Sequence, residues 1–478
     1  MGRLIGSWNK MPLTVKVSTA YAFCSILQKG LSFITLPLFT RLLTTAQYGQ
    51  VTIYGSWQGI LTIFLTLNLA YGSFSTAMIK FEDDREGYIS AVEGISVVLT
   101  VLFFIAYLPF HTQWNKLFEL PTYIVCIMVA EILAANAIYI WNGKKRFEFK
   151  YKAVIAVTLA MSVLSPIIQY ILVISNDEKG YARIIGAALV TIAVGGCFFA
   201  YNALKGKIFY KKSYWKYALG FNIPLLAYYL SQIIFNQSDR IMISHMVGKE
   251  KAAIYGVAYS LAMVLSFVLN AINNAYVPWL YGRIKKGKTI DNKKISLAIA
   301  AVMALLLLAI IWFAPEIIRI MAGRKYAEAV YVVPPVAISL LLLFYSQLFI
   351  NVEFYYEEKK KLIWASIVAA IVNLVLNVIF ISRFGFIAAA YTTLASYILF
   401  ALCNYMAMKS MLKEKSVPDE GFNYKALAIL LMLFISLSYI GVVAYKFLAA
   451  RIVVAAMTLA VMIAKRNSFA RLLRMLKE

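Results

Sequence analysis

Residues 295–315 read ISLAIAAVMALLLLAIIWFAP, 21 positions without one charged side chain. A helix that crosses a bilayer needs about 20 predominantly apolar residues, and this stretch supplies them. Basic residues precede it, at Lys285-Lys286 and Lys293-Lys294. Working outward in both directions, the same alternation of apolar run and short basic segment recurs. Fourteen candidate spans result, at 14–38, 50–76, 89–109, 121–141, 153–174, 183–204, 217–238, 252–277, 295–315, 328–350, 362–381, 386–408, 424–446 and 448–464. The last two join so tightly around Lys446 and Arg451 that they read as a helical hairpin.

Bulk composition agrees. Of 478 residues, 62% are hydrophobic and only 14% are charged, whereas a soluble domain averages about 45–50% apolar and about 25% charged. Such an excess requires lipid as the solvent, and in lipid only helices or closed barrels satisfy the backbone. The expected fold class is an all-α membrane protein with about 14 transmembrane helices. No small-residue cleavage site follows the first apolar segment, so that segment is expected to be a retained helix.

Net charge is +25, from 47 Lys+Arg against 22 Asp+Glu. The basic runs Lys144-Lys145-Arg146, Lys211-Lys212, Lys285-Lys286 and Lys359-Lys360-Lys361 lie between apolar stretches. That is the pattern of cytoplasmic loops facing anionic membrane lipids, not of a nucleic-acid-binding module. With the N-terminus placed in the cytoplasm, 33 Lys/Arg fall on the cytoplasmic side and 13 on the other, and Lys29 lies inside a span. This asymmetry predicts two cytoplasmic termini and an even number of spans.

Several classes drop out. No segment between spans exceeds 25 residues, which leaves no room for a soluble catalytic or nucleotide-binding domain. The phosphate loop G-x-x-x-x-G-K-[ST] is absent. The chain is therefore not expected to be an enzyme, or an ATPase on its own, and no cofactor is expected. Cys24, Cys126, Cys197 and Cys403 each sit in an apolar stretch with no close pair, so neither a disulfide framework nor a zinc site is suggested. His111 and His245 are too far apart in sequence to suggest a metal site or a catalytic triad. Gly55-Ser-Trp-Gln-Gly59 matches G-x-x-x-G, a pattern too common in apolar helices to imply a dimer.

The polar residues inside the spans are more informative. At 100° per residue, Ser18, Ser25, Lys29 and Ser32 of the first span share a narrow face with Thr14 and Tyr21. In the seventh span Asn222, Tyr229, Gln232, Asn236 and Arg240 align. In the eighth, Tyr255, Tyr259, Ser266, Asn270 and Asn273 align. In the second, Tyr54, Gln58 and Thr62 do. Such stripes glue helices together or line a hydrated cavity. Stripes at matching places in two halves favour a cavity. Its cations would be Lys29, Arg41 and Arg240, suited to phosphate, although Arg41 and Arg240 also fit interfacial anchors. Tyr, Asn, Gln and Ser suit sugar hydroxyls. Four acids, Glu93, Glu131, Asp239 and Glu353, lie in or near spans. Of these Glu131, Asp239 and Glu353 are candidates to bind a coupling ion, proton or sodium.

A loose internal repeat relates 14–76 to 217–277. Each half has an Arg after its first span, Thr40-Arg41 and Asp239-Arg240, followed by a Tyr-Gly pair read as an outer loop, Tyr48-Gly49 and Tyr255-Gly256. The expected division is a six-helix lobe over 1–210, a second over 211–415, and a terminal helix pair with tail over 416–478.

The opening span with Lys29, then Leu36-Pro-Leu-Phe-Thr-Arg-Leu-Leu43 and Gln47-Tyr-Gly49, resembles the start of the polysaccharide-biosynthesis (O-antigen type) flippases. Asp239-Arg-Ile-Met-Ile243 and Ala253-Ile-Tyr-Gly-Val-Ala-Tyr259 resemble the start of their second half. These flippases belong to the multidrug/oligosaccharidyl-lipid/polysaccharide exporter superfamily, and the resemblance covers nearly the whole chain. It implies two lobes around a cationic cavity in a bacterial cytoplasmic (inner) membrane. It implies alternating access that moves an undecaprenyl-diphosphate-linked oligosaccharide to the outer leaflet, in concert with other polysaccharide-assembly membrane proteins. Arg41 and Arg240 carry over by motif position. A lipid II flippase shares the span count and cavity charge. A multidrug antiporter would carry more acid in its cavity, and a glycan polymerase or ligase would carry a larger outer loop. The expected outcome for an Arg240→Ala, Lys29→Ala double variant is loss of glycan export at normal membrane levels; full export would overturn the cavity assignment.

Overall fold

In the computed structural model, residues 13–287, 289–358, 360–417, 421–449 and 451–453 are described, and all regular structure among them is helical. Eleven helical segments among them are long and apolar enough to cross a membrane. The helices of the first expected span, α1 (Leu13–Leu42), and of the second, α2 (Thr45–Thr66), are not among these eleven, and of α1 only Phe33–Leu42 stands out as a shorter apolar helix. The helix α2 has the length but is more polar. Most of the expected span 448–464 lies outside the described residues. The protein is a multi-pass, all-helical membrane protein.

The chain divides into two compact units, Met1–Gln237 and Ser238–Glu478. The first contains α1, α2, α3 (Phe74–Lys80), α4 (Arg85–Tyr107), α5 (His111–Phe118), α6 (Thr122–Phe147), α7 (Tyr151–Ile174), α8 (Lys179–Gly206) and α9 (Lys212–Asn222). The division falls within α10 (Leu226–Met246). The second unit contains α11 (Lys249–Lys285), α12 (Asn292–Trp312), α13 (Ala314–Met321), α14 (Val333–Tyr355), α15 (Lys360–Phe384), α16 (Phe386–Glu414) and α17 (Tyr424–Val443).

Local sequence explains where α2 begins and ends. Thr44 and Gln47 form a reciprocal capping box, with Gln47 N donating to Thr44 Oγ1 at 3.2 Å and Thr44 N to Gln47 Oε1 at 3.0 Å. The box starts the helix before Tyr48-Gly49, so that pair is helical and not in a loop. Tyr255-Gly256 likewise lies inside α11. The helix α2 stops at Thr66 because Leu67 and Asn68 adopt left-handed backbone, φ 47° and 53°, and L-residues in that region do not continue a right-handed helix. The span expected over 50–76 is therefore cut short. The seventh span is also broken. A 3₁₀ turn at Ile223–Leu225, containing Pro224, separates α9 from α10, since proline removes a helical donor. The helical wheel that set Asn222 beside Tyr229 and Gln232 does not run through this turn unbroken.

Inside the first unit α6 and α8 pack closely, and so do α7 and α8. Two glycines on α8 permit this. A Cβ on Gly195 would strike the Ala134 backbone of α6, and one on Gly186 would lie 2.7 Å from the Gln169 Cα of α7. Only a residue without a side chain allows backbones to approach so near.

In the second unit the stretch 295–315 forms most of α12, and α17 lies against it. The Trp312 indole donates to the Leu437 carbonyl at 3.2 Å, and Gly441 faces the same indole. Beyond α17, Arg451 is almost fully buried. Its guanidinium donates to both oxygens of Glu316 at 2.6 and 2.8 Å and to the Trp312 carbonyl at 3.0 Å. The fork closes the end of the unit. Truncation of one partner of a buried ion pair strands the other. Glu316→Ala, which strands the buried Arg451 guanidinium, is expected to cost about 3 kcal/mol, read as a lower denaturation midpoint of the detergent-solubilised protein. An added Arg451→Ala should cost little more, because its partner is already gone.

Candidate functional site

The first unit encloses a cavity of about 850 Å³. Two helix faces form its long walls. On α2 these are Gly55, Gln58, Gly59, Thr62 and Thr66; on α6 they are Glu131, Ala135, Tyr139, Asn142 and Arg146. The α6 set falls within about 80° of arc at 100° per residue. Gly55 and Gly59 on α2 and Ala135 on α6 interrupt the larger side chains of these faces. Gly55 has nothing near the position of an added Cβ.

Sequence-predicted residues meet here. The buried Tyr54 hydroxyl donates to Glu131 Oε2 at 2.6 Å. Gln58 and Thr191 line the same cavity. Behind this wall, the Asn136 amide donates to Ser96 Oγ at 3.0 Å. At the other end of the α6 face stands Arg146, exposed, with Asn142 and the paired rings of Tyr71 and Tyr139, whose centroids are 5.7 Å apart. The sequence reading took Arg146 as a loop charge. Its signal was its spacing from Glu131, which sets both on one helix face. Glu131 and Arg146 are the only acid and base among the described lining residues.

The second unit holds a different arrangement around Asp239 on α10, which is 1% exposed. Tyr255 of α11 donates to its Oδ2 at 2.5 Å, and Thr393 of α16 donates to the same oxygen at 2.6 Å. Asn377 of α15 donates to Oδ1 at 2.6 Å. A second ring of neutral groups supports these. Thr392 bonds the Asn377 carbonyl oxygen, and Asn373 donates to Thr393 Oγ1 at 3.2 Å. Ser238 donates to Asn373 Oδ1 at 3.4 Å. One carboxylate thus sits among hydroxyl and amide groups from four helices. The four residues Asn373, Asn377, Thr392 and Thr393 escaped the sequence reading. Short neutral side chains in apolar helices look like ordinary helix glue.

Arg240 follows Asp239, and one residue of helix turns it about 100° away. Its guanidinium lies over the buried Tyr259 ring, 4.4 Å from the centroid. Asn273 accepts from the Asn351 amide at 2.8 Å, while Asn270 is exposed. Glu353 is fully buried, and neither carboxylate oxygen has a hydrogen-bond partner among the described residues. Glu93, in the first unit, accepts from Asn202 at 2.6 Å.

The remaining predicted residues lie apart. Asn222 is fully buried at the end of α9 and donates to Ser73 Oγ at 3.0 Å and the Ala218 carbonyl at 2.8 Å. Gln232 and Asn236 are half-buried on α10, with the Asn236 amide donating to the Gln232 carbonyl at 2.7 Å. Arg41 is exposed in the last turn of α1. The side chains of Ser25 and Lys29 lie outside the described residues. No group of three or more His, Cys, Asp or Glu that could hold a metal ion occurs among the described residues.

Comparison with known proteins places this architecture. The solved lipid II flippase MurJ, in an inward closed conformation, superposes with a TM-score of 0.67 at 15% identity, covering 93% of this chain and 100% of that one. An inward-facing multidrug resistance MATE family transporter of the MOP superfamily gives 0.61 at 14% identity, covering 80% and 98%. These likenesses show a shared fold. Among curated proteins, the Lsg locus putative protein 1 of Haemophilus influenzae is 23% identical over 379 residues, 75% of this chain and 88% of that protein. The uncharacterized membrane protein MJ1375 of Methanocaldococcus jannaschii is 22% identical over 413 residues, 82% and 96% respectively. The sequence profile described as "Polysaccharide biosynthesis protein" matches residues 15–282, more than half of the chain, and the protein belongs to that family.

Proposed function

We propose that this protein is a flippase that carries an undecaprenyl-diphosphate-linked oligosaccharide from the cytoplasmic to the outer leaflet of a bacterial inner membrane by alternating access. The lobes at 1–210 and 211–415 would be the moving bodies, and both termini would be cytoplasmic. The observation that carries the reading is the cavity of about 850 Å³ in the first unit. Ligand sites typically enclose about 300–1,000 Å³. Polar groups within a membrane bundle are costly and mark substrate or ion pathways, so the amides, hydroxyls and charges on this cavity's wall favour a polar occupant. Amides, hydroxyls and tyrosine rings suit sugars, and an arginine fork suits phosphate. Membership of the polysaccharide biosynthesis family supports the same cargo class.

The Asp239 cluster is our candidate for the coupling-ion site. One buried carboxylate beside the hydroxyls of Tyr255 and Thr393 offers a small, hard, singly charged nest. That donor set suits a monovalent cation, sodium or a proton. Its helices α10 and α11 also carry Arg240 and the polar stripe, so ion occupancy and cargo contact share the same elements.

The test is transport in proteoliposomes loaded with a fluorescent undecaprenyl-diphosphate oligosaccharide, read by access of an external quencher. Protein-dependent exposure of the glycolipid is expected, and its absence for every glycolipid offered would overturn the reading. Arg146→Ala should slow transport about tenfold, the loss of one charge-assisted contact. Asp239→Asn should abolish the response to a sodium or proton gradient while leaving the protein folded, since Asn preserves the shape of the carboxylate.

A further inference from the structure

The cavity of the first unit has opposite polarity at its two ends. Arg146 and Glu131 are fifteen residues apart on α6, which sets them roughly 22 Å apart along the helix axis. Between them the described lining is uncharged. A ligand carrying phosphate at one end has therefore one favoured orientation, with the phosphate at Arg146 and the far end of its glycan directed to Glu131.

Glu131 is built into the wall as an acceptor. Tyr54 donates to it from one side, and Gln58 and Thr191 line the same cavity. It differs in setting from Asp239. Asp239 is enclosed by donors from three other helices, at the scale of a single ion. Glu131 borders a volume hundreds of times larger than a small cation needs. Its surroundings there are those of an open cavity, not of a closed ion nest.

The geometry points to Glu131 as a specificity residue for the glycan. It accepts from the hydroxyls of a neutral sugar or from the ammonium of an amino sugar at the end remote from the phosphate. It rejects a terminal uronic or other carboxylated sugar by like-charge repulsion. This inference rests on the flippase reading, and it adds the class of glycan that the site takes.

Three short-chain polyprenyl-diphosphate disaccharides, alike except for a neutral, amino or uronate terminal sugar, test it by affinity for the purified, detergent-solubilised protein. The neutral and amino forms should bind about tenfold or more tightly than the uronate form, the scale of a like-charge clash at an interface. Glu131→Gln, nearly the same shape, should erase that gap by improving uronate binding. Arg146→Ala should weaken all three alike. Tyr54→Phe, which keeps Glu131 but loosens it, gives a second variant and should narrow the gap in a protein of unchanged elution profile. Equal or tighter uronate binding by the parent protein, or a gap that survives Glu131→Gln, overturns the inference alone. Failure of all three ligands to bind overturns the flippase reading and the inference with it.

Discussion

Lipid offers no hydrogen bonds. Every backbone amide in a span must find its partner within its own helix, and every polar side chain must find one on a neighbour or in a water-filled space. The helical fold follows from the first requirement. The two polar sites follow from the second. In the second unit the polar residues of α10, α11, α15 and α16 satisfy one another around Asp239. In the first unit the polar faces of α2 and α6 close only in part, and they leave a cavity between them.

Small residues decide which of these outcomes occurs. Glycines on α8 bring its backbone against α6 and α7 at Gly195 and Gly186, and no space remains there. Gly55 does the reverse, since nothing lies within 4 Å of where a side chain would begin, and it lines the cavity. Loss of a side chain thus makes a tight joint in one place and an opening in another. The difference lies in the partner helix, which is why a glycine in an apolar stretch carries so little meaning alone.

Much of the architecture was legible from the one-dimensional pattern because lipid imposes a long, simple rule. The uncharged run at 295–315 became α12 almost unchanged. The breaks were less legible. The left-handed turn at Leu67-Asn68 has no glycine to announce it, and Pro224 sits where a kinked span and two separate helices look alike in sequence. Among candidate site residues, Tyr54 and Gln58 share a face because helical periodicity is local and strong, whereas their meeting with Glu131 joins two helices and no periodicity announces it. Arg146 stood one turn beyond the apolar window, in a basic run explained by topology, and its second role was hidden by the first. Asn377 and Thr393 lie more than a hundred residues from Asp239, and no periodicity within one helix links them to it.

Asp239 and Arg240 are consecutive, yet they serve different neighbours: one is enclosed by polar groups on three other helices, and the other lies over the Tyr259 ring. Opposite charges so close cannot act independently. While Asp239 is a bare carboxylate, it draws on the positive field of Arg240. A cation or proton on Asp239 removes that draw and leaves Arg240 a stronger attractant for anions. The effect is reciprocal by thermodynamic linkage, so an anion at Arg240 strengthens the hold of Asp239 on a cation. Were the proposed ion and cargo to bind at these two residues, one peptide bond would suffice to make the two events cooperative, with no need for a signal relayed through the rest of the protein.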